Sequence, residues 1–159
     1  MKKKAIVTGG NGQIGRIFAE ALVNKGYFVY SLDLNIGKIP ITKHIEAVEL
    51  DITDESAIHN FFASVKDLDV LINNAGIGVF TPFEDRTASE FKEVMEVNLL
   101  GTFLMSQSSI KIMKNSEGGK IINIASIYGS TSSDERIYGD SGRNNSEVYS
   151  ATKAGVINL

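Results

Sequence analysis

The chain has no cysteine, only two prolines and only two histidines in 159 residues. Without thiols it has no disulfide, no thiol nucleophile and no thiolate metal site, which agrees with a cytoplasmic address. His44 and His59 do not fall at ligand spacing with carboxylates on one helix, so no metal site is expected. No apolar run reaches the roughly 18 residues needed to cross a bilayer. The basic start Met1-Lys2-Lys3-Lys4 runs into Thr8-Gly9-Gly10 too soon for a signal-peptide core. There is no excess of positive charge either: the net charge is −3 and the pI near 5.4. Neither nucleic acid nor an anionic membrane is therefore an expected partner. Repeats, low-complexity tracts and Pro/Gly/Ser linkers are lacking, and Pro40 and Pro82 both fall in connections, so residues 1–159 read as one domain. What is present is 43% hydrophobic and 22% charged, with mean hydropathy near zero. Such a chain can bury a core, which excludes disorder.

Five apolar, β-branched runs alternate with helical stretches: Lys4–Thr8, Tyr27–Leu34, Ile45–Leu50, Val70–Asn73 and Lys120–Ala125. The helical stretches are Gln13–Lys25, Asp54–Val65, Ser89 to about Asn115, and Glu147–Leu159. In the first, Ile14, Ile17, Phe18, Ala21 and Leu22 have the spacing of one buried face, and Gly26 reads as its C-terminal stop. Thr87-Ala88-Ser89-Glu90 is a capping-box pattern ahead of a stripe that carries Phe91, Val94, Met95, Asn98, Leu99, Thr102 and Phe103. Apolar strands alternating with helices predict an α/β fold, a Rossmann-type doubly wound parallel sheet of about five strands. The last helix returns to no further strand, which leaves Lys120–Ala125 at the sheet edge. The sequence reads as the N-terminal part of a longer protein, with the last strands missing.

Gly10-Asn11-Gly12-Gln13-Ile14-Gly15 fits G-x-G-x-x-G and lies between the first strand and first helix. Glycines there allow a tight turn and let a pyrophosphate approach the backbone at the helix N-terminus, where free N–H groups favour anions. Asp33 stands 18 residues beyond Gly15, near the place of a carboxylate that holds an adenosine ribose. Leu34 beside it joins the expected cofactor set, with Gly9, Asn11, Gly12, Gln13, Ile14 and Gly15. NAD(H) is expected over NADP(H), because a 2′-phosphate would meet the Asp33 carboxylate as a like charge. Arg16 is the nearest basic residue in sequence that could soften this preference.

Tyr149 and Lys153 stand at i and i+4, on one helix face. An ammonium beside a phenol favours the phenolate and suits it to general acid/base work. Ser126 follows the fifth strand and Asn73-Asn74-Ala75-Gly76 ends the fourth, both at the carboxyl edge where open α/β sheets bind ligands. Each residue also has a plainer role: Ser126 as a turn cap, Asn74 as a turn former, Asn98 as a core amide bonded to backbone.

Together these segments resemble the short-chain dehydrogenase/reductase family over the whole length. The matching residues are Thr8-Gly9, Gly12, Gly15, Asp51-Ile52-Thr53-Asp54, Asn73 to Gly76, Val97-Asn98, Ile121 to Ser126, and Tyr149-Ser150-Ala151-Thr152-Lys153. The resemblance implies that Tyr149 exchanges a proton with the substrate oxygen, that Lys153 binds the nicotinamide ribose, and that both stand among the cofactor-binding residues. It further implies that Ser126 hydrogen-bonds the substrate carbonyl and that Asn98 holds the helix bend and water of a proton relay. Asp51 and Ile52 would flank the adenine, while Asn74, Ala75 and Gly76 line the cofactor cleft. The cofactor supplies the hydride. In the intact family the long helix and the Tyr149 helix commonly form a subunit interface, which implies a homo-oligomer, dimer or tetramer, when full length.

The branch of the family is left open by mixed features. Gln13 replaces a glycine usual in the single-domain branch, giving T-G-x-x-G-x-x-G, and Tyr149 stands 23 positions beyond Ser126. Both features, with Ser126-Ile127-Tyr128-Gly129, resemble the nucleotide-sugar branch, whereas Asn73-Asn74-Ala75-Gly76 and Gly118 to Ser126 resemble the short branch. The mixture is similar to enzymes of bacterial surface-glycan and flagellin-sugar pathways. The expected activity is an NAD(P)-dependent interconversion of an alcohol and a ketone on a small molecule. A nucleotide-sugar epimerase or dehydratase with internal hydride return is the alternative, and a non-catalytic dinucleotide-binding protein a further one. The polar stretch Gly129–Ser146 is expected to be a flexible lid.

Overall fold

Lys4–Thr8 (β1) is apolar from Ala5 to Val7 because both of its faces are covered there. The structure, a computed structural model, describes residues 3–40, 42–115, 118–141 and 146–159. In it β1 lies between Phe28–Asp33 (β2) and Val70–Asn73 (β4), pairing Ala5 with Val29 on one side and with Val70 on the other. Ile45–Glu49 (β3) extends the sheet beyond β2, and Lys120–Asn123 (β5) beyond β4. The order is β3-β2-β1-β4-β5, with every pairing parallel. Period-two alternation sorts the β1 side chains between two cores. Ala5 and Val7 join Ala19, Phe18 and Leu22 of Gln13–Asn24 (α1). Ile6 joins Ile58 and Phe62 of Glu55–Ser64 (α2), and Leu104, Met105 and Met113 of Thr102–Met113 (α4). This is the doubly wound α/β sheet expected from the strand–helix alternation, with β5 at its edge and Ile122 there 46% exposed.

Two expectations are corrected. The buried face of α1 is centred on Gly15 and Ala19, whereas Ile14 and Ile17 are 55% and 61% exposed. Small residues let the helix settle against the β1 turn; a Cβ on Gly15 would lie 2.1 Å from the Gly9 carbonyl oxygen. The second correction concerns the long helix, which is three pieces: Ala88–Met95 (α3), a π-helical turn over Glu96–Gly101, and α4. The wider turn shifts the helical register, so one continuous stripe cannot stay buried. Val94, Asn98 and Thr102 are buried, but Phe91 and Phe103 are each 42% exposed. The capping box of Thr87 and Glu90 does start α3. Glu147–Asn158 (α5), capped by Ser146, packs on α3, the π turn and the short turn Ile127–Gly129. Among the described residues no helix is long and apolar enough to cross a membrane.

Candidate active site

Strand order reverses between β1 and β4, and the crevice at their carboxyl ends is where a doubly wound sheet binds ligands. A cleft of about 400 Å³ lies there. Gly9, Gly12, Gln13 and Ile14 line it from the glycine loop, Asp33 and Leu34 from the end of β2, and Asp51 and Ile52 from beyond β3. Asn74, Ala75 and Gly76 close it from the end of β4. Leu32, Leu50, Ile77 and Val97 also line it, although the sequence did not single them out for the cofactor; an apolar residue ending a strand looks like core. Asn11 and Gly15 act from behind the wall. The Asn11 N–H donates to Asp33 Oδ2 at 2.9 Å, and Gly15 is buried beneath the loop.

The loop is built for close approach. Gly9 has φ +68°, and a Cβ on it would stand 2.9 Å from Ala75 Cα. Asn74 staples the loop to β4: its Nδ2 donates to the carbonyls of Thr8 and Gly9 at 3.0 and 3.2 Å. Thr8 Oγ1 in turn accepts from the N–H groups of Asn74 and Ala75, each at 3.0 Å. Helix α1 begins at Gly12 with no side-chain cap and no acidic residue in its first turn, so its N-terminal N–H groups stay available to an anion. Asp33 is held in place by the N–H groups of Asn11 and Asn35. These features fit a dinucleotide. Gly15→Ala should force the loop off α1, an overpacking cost of about 1–3 kcal/mol. The expected results are a thermal midpoint lower by several degrees, about 2–4 °C per kcal/mol, and weakened NADH binding in a fluorescence titration.

The remaining expected residues gather where β5 and α5 meet. Lys153 is 5% exposed, its Nζ donates to the Ile124 carbonyl at 2.8 Å, and it stands 5.6 Å from the centre of the Tyr149 ring. Burial pushes the Lys153 ammonium below the ordinary lysine range. Ser126, two residues beyond Ile124, caps the Ile127–Gly129 turn by accepting the Tyr128 N–H at 3.2 Å. Tyr149 is half-buried in the first turn of α5, its N–H donating to Ser146 Oγ. Asn98 sits in the π turn, 1% exposed. Its Oδ1 accepts from Ile77 N–H at 2.8 Å, and its Nδ2 donates to the Ile77 carbonyl and Thr152 Oγ1 at 2.9 and 3.2 Å. Asn98 thus ties the end of β4 to α5. Gly76 fits between these groups; a Cβ there would lie 3.3 Å from Asn98 Oδ1 and 3.5 Å from Lys153 Nζ.

Of the expected lid, residues 142–145 lie outside the described residues. The Tyr138 hydroxyl of the described portion hydrogen-bonds the Tyr128 hydroxyl at 2.7 Å, anchoring that stretch beside Ser126. Among the described residues no group of three or more His, Asp or Glu side chains could hold a metal ion.

A parallel sheet with a bare helix N-terminus at its switch point defines a dinucleotide-binding α/β protein, and a Tyr–Lys pair stands beside that cleft. The family model described as short chain dehydrogenase matches residues 3–159, and the chain belongs to that family. It is 35% identical to a sorbitol dehydrogenase of Cereibacter sphaeroides, across 99% of this chain and 61% of that protein. A short-chain dehydrogenase of Leptospira borgpetersenii, solved with bound NAD+, superposes with TM-score 0.91 at 43% identity, over 99% of this chain and 63% of that one. ElxO with NADP bound superposes with TM-score 0.83 at 29% identity, over 100% of this chain and 65% of that one. The chain thus spans about three fifths of the length of these relatives.

Proposed function

We propose that this chain provides the cofactor-binding domain and acid/base site of an NAD(P)-dependent oxidoreductase that interconverts a small-molecule alcohol and ketone in the cytoplasm. The observation that carries this is the buried Lys153 ammonium, held by the Ile124 carbonyl beside the Tyr149 ring. Burying an ammonium is costly, and binding a dinucleotide does not by itself require a phenol next to it. In this reading Tyr149 exchanges the proton at the substrate oxygen, Ser126 orients that oxygen, and Lys153 supplies positive charge and binds the nicotinamide ribose. Asn98 holds the π turn and its water relay in register with α5. When bound, the nicotinamide donates or accepts the hydride. The test is absorbance of NADH on mixing protein and cofactor with a panel of polyols, sorbitol first, and sugar alcohols. Net NADH formation supports the reading; its absence across the panel, with product formed from a nucleotide sugar, supports internal hydride return. The spacing of Thr8-Gly9, Gly12 and Gly15, and the placing of Tyr149 23 positions beyond Ser126, favour sugar substrates, such as those of bacterial surface-glycan pathways.

NAD(H) is the proposed cofactor. Asp33 already accepts two backbone N–H groups at the ribose end of the cleft, so a 2′-phosphate would meet a fixed negative charge. Asp33→Ala is expected to narrow the preference measured as kcat/KM, and a parent kcat/KM at least as high with NADP(H) would overturn it. We further propose that the full-length protein is a homo-oligomer: Leu100, Phe103, Ile157 and Leu159 expose 41–54% of their surface along the π turn, α4 and α5. A monomer by light scattering would contradict this.

A further inference from the structure

The segment from Gly76 to Arg86 leaves the cofactor cleft, passes the Tyr149 ring and ends at the head of α5. Its first part is fixed by Asn98 through both backbone groups of Ile77. Next comes Gly78, where a Cβ would lie 3.8 Å from Tyr149 Cδ2. The far end is fixed by Arg86, whose side chain is only 4% exposed. Its guanidinium donates to two acceptors: the carboxylate of Glu147, in the first turn of α5, and the backbone carbonyl of Thr81. Thr81 is anchored in its turn, its hydroxyl donating to Glu90, the residue that closes the capping box of α3. The Glu90 carboxyl is held below its ordinary range, chiefly by the Thr81 hydroxyl and then by the Thr87 backbone.

We infer that Arg86 is a positioning residue: its buried guanidinium clamps the Gly76–Arg86 segment to Glu147, so that the segment and the first turn of α5 hold Tyr149 at the carboxyl edge of the sheet. This rests on the proposed role of Tyr149. Arginine suits the task, because its planar fork reaches two acceptors at once, whereas a lysine is a single point charge. Position matters here, since a displacement of about 1 Å at a reacting group can cost on the order of 10²-fold in rate. Stability is a poor explanation for the pair, because Glu147 is 43% exposed and an ion pair open to solvent contributes little. The two partners are also unequal. Removing Arg86 leaves Glu147, 43% exposed, in water, whereas neutralising Glu147 leaves a buried guanidinium without its counter-charge.

The test uses the full-length protein in its NADH complex, ¹³C-labelled on its tyrosine rings, with the Tyr149 signal assigned by its loss in Tyr149→Phe. Arg86→Met and Glu147→Gln should each shift or broaden the Tyr149 signal. Each should also speed amide exchange at residues 147–150 by about tenfold or more while exchange in β1 and β4 stays unchanged. Arg86→Lys should restore part of the parent signal. Two results would overturn the clamp: a Tyr149 signal and local exchange unchanged in both variants, or exchange rising equally through β1 and β4, which marks general loosening. Glu147→Gln alters a half-exposed side chain and keeps the test decisive should Arg86→Met fail to fold. Turnover retained in Tyr149→Phe would remove the acid/base reading but leave this outcome readable, because ring signals and exchange report position and not chemistry.

Discussion

Tyr149→Phe is expected to lower turnover by on the order of 10²–10⁴-fold, the range lost when a positioned proton donor is removed. NADH affinity should stay close to that of the parent. The substituted ring keeps its place beside Gly78 and Lys153, and the cleft built from the glycine loop, Asp33 and Asn74 is untouched. Removing a hydroxyl whose main part is played at the reacting atoms lowers kcat with little change in cofactor binding. The check is kcat by NADH absorbance together with Kd by NADH fluorescence, each on parent and variant. Turnover within a factor of about ten of the parent would contradict the assigned role.

Lys153→Met is expected to act in opposite directions on activity and on stability. Activity should fall at least as far as in Tyr149→Phe, because the ammonium is assigned both the ribose and the charge beside the phenol. NADH affinity should also fall, about tenfold for one lost charge-assisted hydrogen bond. Stability should rise. Burial lowers the Lys153 pKa in the folded chain, while the unfolded chain keeps the ordinary value of 10.5. Between the two values the unfolded state binds more protons, so this group's contribution to stability grows as pH rises through that window and is least favourable below the folded value. Methionine removes the buried charge and fills the space. A thermal midpoint at pH 7 above the parent's is the expected result, and one below it would show that the bond to Ile124 outweighs the burial of the charge.

The cleft at the carboxyl ends of β1 and β4 is legible in the sequence because it is built from local segments. A glycine loop between a strand and a helix, and a carboxylate at the end of the next strand, are short-range patterns whose geometry follows from backbone freedom and free N–H groups. Gly9, Gly12, Asp33 and Asn74 accordingly line one cleft. The buried face of α1 departs from its hydrophobic periodicity for a related reason: periodicity marks large side chains, whereas the contact is made by Gly15 and Ala19, whose smallness sets how near the helix comes. The exposed Ile14 lies in the cleft instead.

The sequence by itself determined the alternation of strands and helices, the parallel sheet, the phosphate-ready turn and the spacing of Tyr149 and Lys153, since each depends on residues within a few turns of one another. Only the tertiary structure decided the rest. The π turn over Glu96–Gly101 cannot be read from a 3.6-residue stripe, and it turns Asn98 toward Ile77 and Thr152, 21 and 54 residues away in the chain. The pairing of Arg86 with Glu147 spans 61 residues, and the bond from Lys153 to Ile124 spans 29. Such contacts link positions with no local signature. They form only when packed layers bring distant segments together and a buried polar group must take the partner that the fold places within reach.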